Sequence, residues 1–449
     1  MWLRLRPFAL LFRRPQRVPG TRRNSGKTAM SKSVACARRS RVSISLVLIT
    51  GLLLAACGGG GDAGSTGGTE RPAALASAFP GKKATGEPVK IGLITNEGGA
   101  GISQPETREA ADAARKYAND NLGGIAGRPI DFVVCKTKEE PATARDCANR
   151  MVEQKVAAVI LTSSGLGGSM VPIVTQAGIP WTTAVATSNA ESTSTNAFSW
   201  TGGFAANLAS MAEYAKEKAY KKVVAFVIDV PSAVAGTEAV GKPAFAKAGV
   251  DLRIVKIAAG TPDASPQVSA ALQDKPDAIS IVGESTVCTS VLQAMSTLGG
   301  TTGRMILQPC VAPEVLDALG PALDGAQVFS SFDTSSDDLE AQLYRQVMKQ
   351  YSPDTPAGGY AAVGYQGALG LVRALKNLTG EVTPASITVA LGAAKDVVLP
   401  AGHGNTFTCD SSAIPGLKAA CSAKQVTGTV TGGKLENVRS VDPASLLGK

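Results

Sequence analysis

Residues 156–187, VAAVILTSSGLGGSMVPIVTQAGIPWTTAVAT, constrain the fold of this chain more than any other stretch. They read as a short β-rich apolar run, a turn of small residues, an amphipathic segment and a second apolar run, which is strand, loop, helix, strand. Each strand empties into small hydroxylated residues: Ser163 and Ser164 after the first, Ala186 and Thr187 after the second. In an open parallel sheet the ligand crevice lies beyond the carboxyl ends of the strands. Hydroxyls and backbone N–H groups gathered there make a small anion-binding lip. Ser, Gly and Thr are also what loops ordinarily contain, so the stretch by itself supports both readings.

The same grammar extends in both directions. Residues 88–96 read as a first strand, and a Gly-rich loop over 97–102 leads to a helix that Ser103 and Glu106 would open as a capping box. A strand over 130–134 and a helix over 141–153 follow. A second run of alternation starts after residue 203, with helices over 205–218, 236–248, 265–273 and 287–298 and strands over 222–229, 252–257, 278–283 and 304–308. Strands alternating with helices signal parallel sheets, and two runs of similar size predict two lobes. A strand over 327–332 then precedes two long helices, 338–350 and 360–378, that bring no strand set of their own; the economical solution packs them back on the first lobe. The expected fold is therefore α/β, with two doubly wound parallel-sheet lobes. Residues 88–204 form lobe I, 205–328 lobe II, 329–422 a return to lobe I, and 423–449 a segment of lobe II or the hinge.

Charge matters mainly through its position. The formal net charge is +9, yet residues 1–56 carry twelve basic residues and no acid, so the remainder holds 33 basic against 36 acidic residues. A slightly acidic body has no footprint for phosphate backbones, and nucleic acid is excluded as a partner. The basic cluster ending at Arg41 is followed by an apolar run of fifteen residues, 42–56. That is short of the about 20 residues of a membrane-spanning helix and fits the apolar core of a signal peptide. The run ends LAACG at 54–58, which looks like a bacterial lipobox with Cys57 as the acylated residue. Arg38 and Arg39 read as ordinary leader charge, and Met30 is a plausible true start. Residues 58–87 are rich in Gly, Ser and Thr and read as a flexible tether with no capacity for a core. Six cysteines remain, in three close pairs: Cys135 with Cys147, Cys288 with Cys310, and Cys409 with Cys421. Locality suggests those bridges out of 15 possible pairings, in an oxidising compartment.

From residue 88 onward the chain resembles the solute-binding proteins of branched-chain amino acid ABC importers, which have the type I periplasmic-binding fold. The resemblance rests on VKIGLIT at 89–95, YANDNLGGIAGRPIDFVV at 117–134, the stretch at 158–187 and GYQGALGLVRAL at 364–375. It implies that the ligand carboxylate is held by Ser164 and by the segment Val185, Ala186 and Thr187, where Val185 could act only through its backbone. Such donors replace the water that a buried carboxylate loses. The family's second-lobe glutamate, which accepts from the ligand ammonium, falls at Cys310, and one aromatic contact falls at Ala233. A tyrosine position falls at Glu284, which could pair an ammonium or be a solvated loop acid. Tyr360 aligns with an aromatic wall or is ordinary helix packing.

Enzyme signals are weak. GTEAVGK at 236–242 imitates a P-loop but has Pro243 where the magnesium-holding hydroxyl should stand. No G-x-S-x-G elbow occurs, and His403 between Gly402 and Gly404 is poorly fixed for a triad base. One histidine and no CxxC leave no zinc site, no cofactor is expected, and Trp181 and Trp200 offer little for sugar stacking. The expectation is a monomeric, lipid-anchored binding protein on the outer face of the cytoplasmic membrane, attached to the bilayer through Cys57. Its lobes would close on a small carboxylate-bearing solute for delivery to an ABC permease. The alternative is a sensor with the same fold that serves a signalling partner without transport.

Overall fold

A computed structural model describes residues 73–99, 102–300 and 302–448. The signal segment, Met30, Cys57 and the tether up to residue 72 lie outside the described residues. The described chain forms two sheets. In the first half, strands β1 (Val89–Thr95), β2 (Ile130–Lys136), β3 (Val159–Leu161), β4 (Trp181–Thr183) and β5 (Ala197–Ser199) alternate with helices α1 (Pro105–Asn121), α2 (Pro141–Glu153), α3 (Gly167–Gln176) and α4 (Asn189–Thr193). Their order is β2-β1-β3-β4-β5, parallel throughout.

The second half opens with α5 (Gly203–Glu217) and β6 (Lys222–Ile228), then α6 (Pro231–Gly236), a π turn (Thr237–Gly241) and α7 (Lys242–Lys247) as one continuous helical run. It continues with β7 (Asp251–Ile257), α8 (Ser265–Leu272), β8 (Ala278–Val282), α9 (Ser285–Thr297), β9 (Gly303–Leu307), α10 (Pro313–Leu319) and β10 (Gln327–Ser330). Next come α11 (Leu339–Tyr351), α12 (Ala361–Ala374), α13 (Pro384–Gly392), the short pair β11 (Val397–Val398) and β12 (Thr406–Phe407), and the hairpin β13 (Gln425–Thr431) and β14 (Lys434–Val441). The second sheet has the order β14-β13-β10-β9-β8-β6-β7, with the hairpin antiparallel on one edge and the rest parallel.

These strands form where predicted because a parallel strand covered on both faces must be apolar along its whole length. All five residues of β8, AISIV, are buried. Helices α11 and α12 pack on the first sheet: Tyr344, Val347, Tyr365 and Leu369 share one core with Ile91, Leu93 and Ile160. The helix from 231 starts earlier than its pattern suggests, so the P-loop-like residues lie inside a helix and form no loop.

Two expectations are corrected. Ser103 and Glu106 make no capping box: α1 starts at Pro105 after Gln104, with no side-chain cap, and Ser103 Oγ accepts from the Gly98 N–H instead (3.0 Å). Proline at the first turn removes one donor that a cap would serve. The tether is also shorter than its composition suggests. Residues Ala73–Ala78 form a 3₁₀ turn that buries Leu75, and Phe79 meets Tyr117 edge to face at 5.0 Å. Backbone bonds from Lys82 to Asn121 (3.1 Å) and from Ala84 to Asn119 (2.7 Å) tie the segment to the end of α1. Two large apolar side chains and these bonds are enough to dock a run that is otherwise small and polar.

The three disulfides join Cys135 to Cys147, Cys288 to Cys310, and Cys409 to Cys421, as locality suggested, with Cα atoms 5.5, 5.1 and 4.2 Å apart. Among the described residues no helix is long and apolar enough to cross a membrane.

Candidate functional site

In each sheet the strand order reverses direction beside the first strand, between β1 and β3 and between β6 and β8. A crevice forms at such a switch point because neighbouring crossovers leave on opposite faces. The two crevices face a common cleft of about 980 Å³ of empty space, open solvent included. From the first half, Asn96 follows β1, Glu139 follows β2, Ser163, Ser164 and Gly165 follow β3, and Val185 and Thr187 follow β4. Across from them stand Val230 after β6, Gly283 and Glu284 after β8, Gln308 after β9 and Phe332 after β10.

Of the residues read from sequence, Ser164, Val185, Thr187, Glu284 and Tyr360 line this cleft together. Ala186 does not. Its N–H donates to Ser199 Oγ (3.2 Å) and its carbonyl accepts from the Phe204 N–H (2.9 Å), so it holds a turn behind the wall. The neighbouring backbone donors are also committed: Val185 N–H to Thr183 Oγ1 (3.3 Å) and Thr187 N–H to Glu191 Oε2 (3.2 Å). Thr187 Oγ1 donates to the Ser164 carbonyl at 2.8 Å, with Glu191 Oε2 3.1 Å away. Glu191 is fully buried, and Ser188 gives it two further donors, N–H (3.0 Å) and Oγ (2.8 Å). Burial raises its carboxyl above the usual range despite the opposing pull of the Ser188 and Thr187 donors. The segment 185–187 is thus satisfied internally.

The donors that meet a carboxylate in the cleft are Ser164 Oγ–H and Gly165 N–H. They hold the side chain of Glu139, at 2.9 Å to Oε2 and 2.6 Å to Oε1. Burial pushes the Glu139 carboxyl up, and the Ser164 and Gly165 bonds work against that shift. Glu284 caps α9, accepting from Thr286 N–H (2.6 Å) and Val287 N–H (3.1 Å), which fixes its carboxylate at the cleft wall. Tyr360 lines the cleft and meets Phe332 edge to face at 6.5 Å, and burial pushes its hydroxyl up to about 12, partly offset by a bond with Ser163.

Three residues on these walls escaped the sequence reading. Asn96 Oδ1, Asn207 Oδ1 and Gln308 Oε1 are buried without a hydrogen-bond partner. Buried amides normally find one, and all three residues lie on the cleft walls. Asn96 and Gln308 directly follow β1 and β9, and the strand-end rule could have found both. Cys310, where the resemblance would place an ammonium acceptor, is buried in its disulfide and does not line the cleft; Ala233 does. Trp181 and Trp200 are core residues with no exposed face for a sugar. His403 is better fixed than its glycine neighbours suggest, since its Nδ1 lies 2.9 Å from Oδ2 of the buried Asp333. Among the described residues no group of His, Cys, Asp and Glu could hold a metal.

Beside the mouth of the cleft, Glu106, Glu109 and Glu314 share a hollow with Glu284 and Tyr360 of its wall. Burial, with repulsion from Glu314, Glu109 and Glu97, raises the Glu106 carboxyl from 4.5 to about 7. An acid raised on folding contributes stability that is fully present below its unfolded value and lost as pH rises through the folded one. Glu106→Gln should therefore melt above the wild type at pH 8 by about 1–2 kcal/mol, after discounting for water at the mouth, with the gap closing near pH 4.5. Thermal melts at several pH values measure this; a gap that is equal at both ends would contradict it.

The sequence matches the periplasmic binding protein family over residues 88–420. No curated protein matches it. Similar solved structures include a leucine binding protein from Thermotoga maritima (22% identity, 80% of this chain and 99% of that one, TM-score 0.66). A branched-chain amino acid substrate binding protein from Streptococcus pneumoniae, in complex with isoleucine, is 21% identical over 80% of this chain and 100% of that one, with a TM-score of 0.65. A solute binding protein from R. palustris, in complex with benzoate, is 18% identical over 80% and 97%, with the same TM-score of 0.65. Family match, sheet order and paired crevices agree: the chain belongs to the periplasmic binding protein family and has its type I α/β fold.

Proposed function

We propose that this chain is the extracytoplasmic, solute-receiving lipoprotein of an ABC importer, anchored to the membrane through acylated Cys57. It captures a small carboxylate-bearing solute, an amino acid or a related compound, by closure of its two halves, and presents it to a permease. It binds without catalysing a reaction and acts as a monomer. The observation that carries the carboxylate assignment is the contact of Ser164 Oγ–H and Gly165 N–H with the Glu139 carboxylate: this lip has the donors and spacing to accept one. The apolar walls, Ile102, Val185, Val282, Leu307 and Phe332, suit a hydrocarbon body behind that head group. Isoleucine and benzoate, the ligands of two similar structures, differ in size and in amine content but share a carboxylate.

A thermal-shift screen of amino acids, simple carboxylates, amides and short peptides tests the reading, because a solute that binds the folded state raises its melting point. Ser164→Ala should weaken the best carboxylate by about 2 kcal/mol, roughly 30-fold, since a charge-assisted bond is lost. Silence across all carboxylates, or an affinity unchanged by Ser164→Ala in calorimetry, would remove the assignment.

A further inference from the structure

Glu139 puts a carboxylate of the protein itself on the lip proposed for the solute. The turn that delivers it is unusual: Lys138 and Glu139 both lie in the left-handed region, with φ of 55° and 54°. Neither is a glycine, and such backbone persists only where the surroundings impose it. The Glu139 N–H bonds Thr137 Oγ1 (3.3 Å) and fixes the turn between β2 and α2. Among the described residues lining the cleft, Glu139 and Glu284 are the charged ones; no lysine or arginine joins them. An incoming carboxylate therefore meets two acids and no cation, and like charges in one site repel.

We propose that Glu139 is a specificity-determining residue that reserves the lip for solutes carrying an amine beside their carboxylate. The inference rests on the carboxylate reading above. The solute carboxylate takes over Ser164 Oγ–H and Gly165 N–H, and the displaced Glu139 carboxylate turns to accept from the solute ammonium. A plain carboxylate offers nothing to the displaced Glu139 and is rejected.

Calorimetry with matched probes tests this: leucine, 4-methylpentanoate and 3-methylbutylamine, then phenylalanine, 3-phenylpropanoate and 2-phenylethylamine. In the wild type the amino acid of at least one set should bind at least 100-fold more tightly than its deaminated acid. Glu139→Ala, which clears both charge and side chain, should tighten the acid at least tenfold and weaken the amino acid. Glu139→Gln, which keeps the shape, should fall between them and guards against misfolding of the alanine variant. Acid binding that is no tighter in either variant overturns the proposal while leaving the carboxylate reading intact, provided that Ser164→Ala still weakens the amino acid. An amine that binds the wild type better than the amino acid, and is lost in Glu139→Ala, overturns it in favour of a resident amine acceptor. If no protein binds any probe, the carboxylate reading fails and the proposal fails with it.

Discussion

Gly364→Ala should destabilise the protein by about 3 kcal/mol or more, and should weaken solute capture as well. A Cβ on Gly364 would stand 1.7 Å from the Thr107 carbonyl oxygen and 2.6 Å from its carbonyl carbon. Both are backbone atoms inside α1, so no side-chain rotation relieves the clash and the two helices must separate. They are packed through small residues, Ala110, Ala111 and Ala114 on α1 and Ala361 and Ala368 on α12, within the core of the first half. The damage would reach the cleft by two routes. Thr107 Oγ1 lies 3.0 Å from Thr162 Oγ1, directly before Ser163 and Ser164, and α12 follows Tyr360 on the cleft wall. Gly367→Ala is the control on the same helix: its Cβ would lie 3.3 Å from a methyl group of Ile160, which can shift by a few tenths of an ångström. Melting followed by circular dichroism should show a large loss for Gly364→Ala and less than about 1 kcal/mol for Gly367→Ala. Equal losses would contradict the close-approach account.

How much of the fold could be read from the chain depends on what each element buries. The central parallel strands were legible because they are mostly apolar and almost wholly buried, as VKIGLIT, with only Lys90 exposed, and AISIV are. The C-terminal hairpin was not. Strand β14, KLENVRSV, lies at a sheet edge with no fully buried residue, and β13, QVTGTVT, draws its place from pairing with β10. Helix α13 buries only Ile387 and Leu391, too few to set a period. Leu75 and Phe79 were missed for a related reason: two isolated anchors in a polar, small-residue run give no pattern, yet each finds a place against α1 and its neighbours.

The site was legible to the level of its strand ends. Searching strand ends for hydroxyls finds Ser164 and Thr187 but passes over the amides of Asn96 and Gln308 and the acid of Glu139, which obey the same positional rule. Whether a donor is free is a tertiary property. Thr187 and Ala186 look available in sequence, and only the folded chain shows Glu191 and Ser199 taking their N–H groups. The resemblance points to Ser164, which lines the cleft, and departs at Cys310, which is drawn into a disulfide with Cys288 and does not line it.

Gly165→Val should abolish solute binding while leaving the folded state nearly intact. Gly165 stands where the two halves approach: a Cβ there would lie 2.8 Å from Ser232 Oγ on one side and 2.9 Å from Glu139 Oε1 on the other. Both neighbours are side-chain tips at the cleft wall, so they can move aside without disturbing either core, but the branched side chain then fills the lip and obstructs closure. The loss expected is at least 100-fold, about 3 kcal/mol, because the branched side chain screens the backbone N–H that valine retains at 165 and occupies the space beside Ser164. Calorimetric titration of the best solute into wild type and Gly165→Val, paired with melting curves of both free proteins, measures it. Saturable binding to the wild type, none to the variant and melting points within a few degrees are the result expected if the strand-end cleft is the solute site. Equal affinity in the two proteins would contradict it.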